Sequence, residues 1–270
     1  GDHARLAPVH SCLATIVHDA AEQSDDAKWS LAQSLLRGEN GLEVHPTLAM
    51  TYLNELAGDS ISVDDFDPEY KAMQLPNDRT QDSQKSSEEE DDEICYAKAA
   101  MRQLATCYLN GTGTAADPNR GLSWLHQAYH HGDLDAAYET ATIHEYGKYD
   151  VPIDIYLAAK WFHGAAQAGH VESMAEYAMC LELGCGVDQS DNEALDWYTQ
   201  AAEQGHVTAN FSVGEMFECA RGGLPQSDTE AVMWYFKAAS LGDDDSKKAL
   251  KRLKDIARIV VPGWAAVLNV

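Results

Sequence analysis

The sequence predicts an all-α protein, an α-solenoid of about five helix-turn-helix repeats with a capping helix at each end. Two observations support this prediction. Residues of the same kind return every 36 to 37 positions along most of the chain, and good helix N-caps return in register with them. The composition of the 270 residues, 45% hydrophobic with 9% aromatic, supplies enough apolar side chains for a packed core.

Four columns of residues repeat in phase. The tryptophans at 124, 161, 197 and 234 are separated by 37, 36 and 37 residues, and we expect each of them to lie in the core. Small residues keep the same intervals before and after them. These columns are Ala105, Ala141, Ala178 and Gly214; Ala128, Ala165, Ala201 and Ala238; and Gly132, Gly169, Gly205 and Gly242.

Each period contains signals for two helices. The first helix ends near a glycine, and the second begins seven residues before each tryptophan at a residue that accepts hydrogen bonds from free backbone amides. The predicted N-caps are Asp117, Asp154, Ser190 and Ser227. In the last two repeats a glutamate follows three residues later, which is the spacing of a capping box. The boundaries of the second helices are therefore predicted closely.

The rest of the chain divides around these repeats. Leu31, Ala32 and Gly38 lie two periods before Leu104, Ala105 and Gly111, which indicates a degenerate first repeat. An acidic stretch with 13 acids and 3 bases, which we expect to be disordered, separates it from the others. The predicted order is a capping helix over 1–24, repeat 1 over 25–57, the acidic insertion over 58–93, repeats over 94–135, 136–172, 173–208 and 209–245, a basic capping helix over 246–260 and an apolar tail over 261–270.

The spacing Ala100-xxx-Leu-Ala-xx-Tyr-xx-Gly-x-Gly113, followed by Asp117, Trp124, Ala128, Gly132 and Ala136, resembles the Sel-one-like repeat (SLR), a relative of the tetratricopeptide repeat. The resemblance implies a right-handed superhelix and a scaffolding role. Two departures concern loops only: Gly147-Lys-Tyr149 replaces the usual Gly-x-Gly, and an extra residue stands between Arg221 and Leu224.

The net charge of −25, from 44 acids and 19 bases, disfavours nucleic acid and membrane surfaces as partners because it repels phosphates over about 8 Å. No apolar run reaches the roughly 20 residues of a membrane-spanning helix. No catalytic, metal or cofactor motif is present, and the histidines His170 and His206 share a turn position between repeats. We therefore expect no enzyme activity, cofactor or metal, and six reduced, buried cysteines.

By the resemblance, the first helix of each repeat lines a concave groove, and the positions between its core columns face a partner. Aromatic and acidic residues recur there, which suits a peptide with apolar anchors and Lys or Arg. The predicted partner-binding residues are Trp29, Arg102, Thr106, Tyr138, Thr142, Glu145, Met179, Glu182, Phe211, Glu215 and Glu218. The alternatives are that the aromatics pack between repeats and that the glutamates form a solvated rim.

These patterns predict a non-enzymatic adaptor that holds a protein segment within a larger complex. A structural subunit bound through its ends and tail, and a hydrolase or ligand-binding solenoid, stay open as alternatives. Ser86 and Ser87 precede an acidic run and are possible phosphorylation sites, unless the insertion is a plain linker. The apolar tail folds back onto the last repeat or inserts into a partner. We expect a cytoplasmic or nuclear location, with a secretory lumen left open.

Overall fold

The structure, a computed structural model, describes residues 24–39, 43–58 and 88–269. The described segments contain helices and turns and no strand, so the predicted all-α fold is confirmed. The predicted capping helix over 1–24 (apart from Ser24), most of the acidic insertion, and Ser86 and Ser87 lie outside the described residues.

The described residues form twelve α-helices, of which consecutive members pack against each other within each compact unit. In chain order they are α1 (Asp25–Arg37), α2 (Pro46–Ala57), α3 (Glu88–Asn110), α4 (Pro118–His130), α5 (Leu134–Tyr146), α6 (Ile155–Gln167), α7 (Val171–Leu183), α8 (Asp191–Glu203), α9 (Val207–Glu218), α10 (Asp228–Ser240), α11 (Asp244–Arg252) and α12 (Lys254–Val260). A short 3-10 helix at Lys148–Asp150 lies between α5 and α6, and another at Trp264–Asn269 follows α12. The described residues form two compact units: 24–39, 43–58, 88–140 and 147–151 belong to the first, and 141–146 and 152–269 belong to the second.

One backbone hydrogen bond joins the two helices of every repeat. The N–H of the residue that caps the second helix donates to a carbonyl near the end of the first, which satisfies a C=O that the helix leaves open. The donor–acceptor pairs are His45–Leu35, Asp117–Tyr108, Asp154–His144, Ser190–Leu181 and Ser227–Phe217, at 2.8 to 3.0 Å. The side chains of the four predicted N-caps each accept a backbone N–H, so these predictions are confirmed.

The turns between repeats use a second recurring bond. The residue after each column glycine donates its N–H to the alanine-column carbonyl five residues earlier, at 2.9 to 3.1 Å; the donors are Asp133, His170, His206 and Asp243. The same residues cap the following helix: His170 Nδ1 accepts from Ser173 N and His206 Nδ1 accepts from Ala209 N, both at 3.2 Å. The prediction that these two histidines serve the turn is confirmed.

The core differs from the prediction at the tryptophan column. Trp124 and Trp161 are buried, but Trp197 and Trp234 are only half-buried, so the core assignment is wrong for the last two. The residue after each tryptophan is buried in all four repeats, at least as deeply as the tryptophan. This column, at most 3% exposed, consists of Leu125, Phe162, Tyr198 and Tyr235. Because successive helical residues are about 100° apart, the later position takes the direction that faces the neighbouring helices. Lys237 covers the exposed ring of Trp234, with Nζ 3.5 Å from its centroid.

The second glycine of the Gly-x-Gly turn allows neighbouring repeats to approach. A Cβ on Gly113 would lie 2.7 Å from the carbonyl carbon of Pro46, and one on Gly186 would lie 2.7 Å from that of Ile155. Pro46 and Ile155 are the first residues of α2 and α6, so the turn rests on the start of the preceding repeat's second helix. Tyr149, which replaces this glycine in the third repeat, keeps the left-handed conformation with a φ of 58°.

Both ends of the repeat array differ from the predicted boundaries. Helix α3 begins at Glu88, so its backbone extends six residues into the predicted insertion. The predicted single helix over 246–260 is two helices, because Leu253, with a ψ of 27°, redirects the chain and lets α12 as well as α11 pack on α10. Trp264, Val267 and Leu268 then pack against the core cluster that contains Tyr235. Of the two alternatives for the tail, the structure has the one that folds back.

We expect Gly186→Ala to destabilise the protein more than Gly184→Ala. Both glycines have a φ near +70°, so both alanines carry about 1 kcal/mol of backbone strain. At position 186 the new methyl group would lie 2.7 Å from the carbonyl carbon of Ile155, whereas at position 184 the nearest backbone atom is 3.7 Å away. Overpacking of the first kind adds about 1 to 3 kcal/mol. The measurement is the free energy of unfolding in urea. Equal losses for the two variants would contradict the close approach.

We expect His206→Asn to reduce the pH dependence of stability. Burial lowers the pKa of His206, although Glu172 opposes the shift. The unfolded chain therefore binds the proton more readily, and the stability from this cap is present above about pH 6.5 and declines as the pH falls. Urea unfolding at about pH 7.5 and 5.5 should show a smaller loss in the variant, by up to about 1 kcal/mol.

The control for this prediction is Ser190→Asn. Ser190 is also an N-cap whose side chain accepts a backbone N–H, from Glu193 at 3.4 Å, but neither serine nor asparagine titrates in this range. Its replacement should leave the difference between the two pH values unchanged. An unchanged pH dependence in the His206 variant would show that the cap does not titrate.

Candidate functional site

Arg102, a predicted partner-binding residue of the first unit, forms ion pairs within the protein. Its Nη1 donates to Asp133 at 3.2 Å and to Asp135. The ion pairs tie α3 to the turn before α5 and raise the pKa of the guanidinium against the effect of its burial. Because its charge is already paired, Arg102 is a weaker candidate for a partner contact than the sequence predicts.

The other predicted positions of the first unit lie on the surface or close to it. Trp29 and Tyr138 are half-buried, and Thr106 is exposed while its hydroxyl donates to the carbonyl of Arg102 at 3.0 Å. These three residues fit either packing or recognition, so the geometry leaves both interpretations in place.

In the second unit, Glu182 connects two repeats. One carboxylate oxygen accepts the hydroxyl of Tyr198 at 2.9 Å, and the other accepts Nη1 of Arg221 at 2.5 Å. Tyr198 belongs to the same repeat as Glu182, whereas Arg221 lies in the turn of the next repeat and also binds Asp191 through Nε and Nη2 at 3.1 and 2.8 Å. The arginine hydrogen bond lowers the pKa of Asp191. This arrangement is a bridge between repeats rather than an open acidic site.

Glu218 repeats the arrangement one period later. Tyr235 donates its hydroxyl to Oε2 at 2.8 Å, and Arg252 of α11 binds both carboxylate oxygens, Nη2 at 2.8 Å from Oε2. Hydrogen bonding to Arg252 lowers the pKa of Glu218. Burial, reinforced by the nearby carboxylate, raises the pKa of Tyr235, so its hydroxyl stays a donor. The predicted acidic trough is therefore wrong in one respect, since two of its three stacked glutamates are neutralised by the chain's own arginines.

Glu145 occupies the repeat position of Glu182 and Glu218, but it has neither the tyrosine hydroxyl nor the arginine that those two glutamates bind. Phe162, which has no hydroxyl, occupies the position of Tyr198 and Tyr235, and Cys185 occupies the position of Arg221. Among the residues that the structure describes, Glu145 forms no ion pair. Two titratable groups feel its charge: burial, and after it Glu145, raises the pKa of Glu176, and burial together with Glu145 raises the pKa of Cys180 to about 12.

The remaining predicted residues of this unit differ in exposure. Thr142 is half-buried, and Met179 is exposed. The ring of Phe211 lies 5.5 Å from that of Tyr235, which favours the packing alternative for this aromatic. Glu215 is exposed, yet partial desolvation and the charges of Glu182 and Glu218 raise its pKa.

Sequence reasoning missed the tyrosines and arginines that complete the two bridges. The tyrosines follow the tryptophan column by one residue, a signal that was present in the sequence. Arg221 lies in the turn with the extra residue, where the alignment of repeats is least certain, and Arg252 lies in the capping helix, outside the repeats. Glu176 is not in any of the predicted columns.

The described residues hold no group of three His, Cys, Asp or Glu side chains placed for a metal ion. The cysteines differ from the prediction: Cys107 and Cys180 are buried, but Cys95, Cys185 and Cys219 are exposed. None of the helices in 24–39, 43–58 and 88–269 has the length and hydropathy needed to cross a membrane.

Comparison with known proteins identifies the repeats. The family model described as Sel1 repeat matches residues 98–133, 134–170, 171–206 and 207–243, more than half of the chain. The chain belongs to the Sel1 repeat family. The last three matches begin where α5, α7 and α9 begin. The predicted SLR resemblance is confirmed.

Two solved structures share the fold. A Sel1 repeat protein from Oxalobacter formigenes superposes with a TM-score of 0.60 at 21% identity, over 93% of this chain and 87% of that one. A protective antigen of uropathogenic Escherichia coli with an SLR fold gives 0.56 at 18% identity, over 94% of this chain and 55% of that one. At these identities the likeness shows the fold alone, and it confirms the predicted α-solenoid class.

Two curated relatives are larger proteins. The chitin synthase regulator SKT5 of Malassezia restricta is 30% identical over 123 residues, 44% of this chain and 8% of the relative. Chitin synthase regulatory factor 3 of Schizosaccharomyces pombe is 30% identical over 109 residues, 40% of this chain and 12% of the relative. The chain thus matches a small part of each relative's length.

Proposed function

We propose that this Sel1 repeat protein is a non-enzymatic adaptor that binds a Lys- or Arg-containing segment of a partner protein on the first helices of its second unit, at Glu145 and Glu176. Membership of the family and the regulatory names of the two curated relatives support a role in holding another protein. The position of Glu145 in the repeat array carries the proposal.

The bridges of the following repeats show what Glu145 lacks. Glu182 and Glu218 each accept one tyrosine hydroxyl and one arginine, so their charge is compensated within the protein. Glu145 has the same place in the repeat and neither donor. A partial desolvation of charge without compensation is unfavourable, and it is relieved when a cation of opposite charge binds.

Glu176 adds to this effect. The raised pKa of this half-buried carboxyl comes from burial first and from Glu145 second, so the two carboxylates repel each other in the absence of a bound cation. A guanidinium from a partner presents several donors in one plane and can bind two carboxylates at once. In this proposal, an arginine or lysine of the partner supplies to Glu145 what Arg221 supplies to Glu182.

An apolar contact accompanies the charged one. Met179 follows Glu176 by three residues on α7, and its side chain is 36% exposed. Methionine adapts its shape to many partners, and it lies within one helical turn of the carboxylate. The proposed partner segment therefore carries a basic residue with an apolar neighbour, as predicted for the groove.

The structural-subunit alternative receives less support. It requires the tail to be available to another chain, whereas Trp264, Val267 and Leu268 pack against the last repeat's own core cluster. The groove side chains of the second unit, by contrast, include two carboxylates that no described basic residue pairs with.

The test uses random peptides displayed on phage and selected against the full chain, followed by affinity measurement of an enriched peptide. We expect enriched sequences to contain Lys or Arg beside apolar residues. Glu145→Gln/Glu176→Gln should weaken their binding by at least about tenfold, because it removes a charge-assisted contact worth about 1.4 kcal/mol or more. Stability should not fall, since the substitution removes a repulsion.

The matched control is Glu203→Gln/Asp196→Asn, which removes the same charge from exposed positions of α8. It should leave affinity nearly unchanged. Equal weakening by both double variants would mean that only the overall charge matters, and undiminished binding to the first variant would place the peptide elsewhere. Either result would contradict the proposed site.

A further inference from the structure

The turn after α7 brings two cysteines together. Cys180 lies in the last turn of α7, and Cys185 follows Gly184, the glycine that ends the helix. The structure has both cysteines as free thiols, with Cys180 buried and Cys185 exposed. Neither thiol takes part in the bridges at Glu182 and Glu218, so the role of this pair is still open.

A backbone hydrogen bond limits the distance between the two cysteines. The N–H of Cys185 donates to the carbonyl of Cys180 at 2.9 Å, and Gly184, in the left-handed conformation, donates to the same carbonyl. With standard bond lengths, the first of these bonds keeps the two Cα atoms within about 6.8 Å of each other. Disulfide-bonded cysteines have Cα atoms about 4.4 to 6.8 Å apart. The backbone distance therefore allows a disulfide.

The form of the helix end also favours contact between the two side chains. A bond from the second residue after the helix to the carbonyl five residues earlier is typical of the Schellman motif, in which the side chains of those two residues frequently touch. Cys185 and Cys180 occupy these two positions. In agreement with this proximity, Cys185 contributes to the raised pKa of Cys180, after burial and Glu145.

Other repeats have the same backbone bond with other residues. The donor–acceptor pairs are Glu39–Ser34, Thr112–Cys107 and Arg221–Met216, at 2.8 to 3.1 Å. Among the described turns that share this bond, only the turn after α7 has a cysteine at both positions. Cys185 also occupies the repeat position of Arg221. The repeat without an arginine bridge therefore has two thiols at the end of its first helix.

We propose that Cys180 and Cys185 form a reversible disulfide by exchange with a low-molecular-weight disulfide such as oxidised glutathione. The thiolate of the exposed Cys185 attacks one sulfur of the external disulfide, which forms a mixed disulfide and releases one thiolate. The thiolate of Cys180 then attacks Sγ of Cys185 and releases the second. The two cysteines lose two electrons and two protons, and the external disulfide becomes two thiols.

Burial sets the order of the two steps. Burial first, and Glu145 after it, raises the pKa of Cys180 to about 12, so this thiol is rarely a thiolate at neutral pH. Cys185 therefore reacts first. The disulfide ties the end of α7 to the turn in which Gly186 rests on Ile155, the first residue of α6. This modification site does not depend on the proposed adaptor function.

The test exposes the reduced full chain to an excess of oxidised over reduced glutathione, blocks the remaining thiols with N-ethylmaleimide and digests the chain with the protease Glu-C. Cleavage after Glu176, Glu182 and Glu193 places the two cysteines in separate peptides, 177–182 and 183–193. We expect mass spectrometry to find these peptides joined. At one glutathione ratio, the ratio of joined to separate peptides should be at least about tenfold higher for the folded chain than for the chain in urea, because the fold holds the cysteines together.

Two variants test the order of the steps. Cys180→Ala should leave Cys185 as a mixed disulfide with glutathione, because no second thiol is available to displace it. Cys185→Ser should leave the buried Cys180 without a glutathione adduct. The absence of an adduct on Cys185 in the first variant would contradict its role as the thiol that starts the exchange.

Three results with the unsubstituted chain would overturn the proposal. One is a glutathione adduct that stays on Cys185 while Cys180 remains a free thiol. Another is a disulfide that joins Cys185 to a different cysteine. The third is an equal ratio of joined to separate peptides in the folded chain and in urea, which would show that the turn does not bring the two thiols together.

Discussion

Each repeat is a pair of helices that cannot bury both of its faces, and the structure depends on how closely the next pair can approach. The alanine columns, with members such as Ala128 and Ala165 fully buried, keep the distance between helices short. In the column of Ala105, Ala141 and Ala178, the last repeat has Gly214, where a Cβ would lie 2.7 Å from the ring of Tyr235, so glycine makes room for this tyrosine. Tight approach then buries the aromatic or leucine side chain that follows each tryptophan.

The backbone follows from the same approach. A turn pressed against its neighbour cannot leave its N–H and C=O groups to water. The turns within the repeats therefore share one backbone hydrogen bond, and the described turns that follow Gly132, Gly169, Gly205 and Gly242 share another. The capping residue can differ as long as it accepts a hydrogen bond. The N-cap of the first helix is therefore aspartate in some repeats and histidine in others. It is Asp133 or Asp243 in two repeats and His170 or His206 in the two between them. The histidines make this structural position sensitive to pH.

Polar bridges connect consecutive repeats at two glutamates. Glu182 and Glu218 each bind a tyrosine of their own repeat and an arginine beyond it, so neither glutamate offers an open acidic site. The interruption at Glu145 leaves this half-buried carboxylate without a bridge and close enough to Glu176 to act on its pKa. The proposed site therefore lies where the repeat pattern fails.

Features that recur in every repeat could be predicted from the sequence, whereas contacts that belong to one or two repeats could not. The N-caps, the turn histidines and the number of helices per repeat follow from residues in register. The two half-buried tryptophans were misjudged because periodicity reports that a position is repeated, not which of two adjacent positions faces the neighbour. The arginine bridges could not be predicted, because Arg221 and Arg252 lie in an irregular turn and a capping helix and reach their glutamates through space.

The most direct test of this account is a double-mutant cycle on Glu182 and Arg221. Free energies of unfolding are measured for the parent chain, Glu182→Gln, Arg221→Gln and the double variant. The account predicts a coupling energy of about 1 kcal/mol or more, since the two side chains join consecutive repeats. A coupling energy near zero would show that the bridge does not hold the repeats together and would remove the contrast with Glu145.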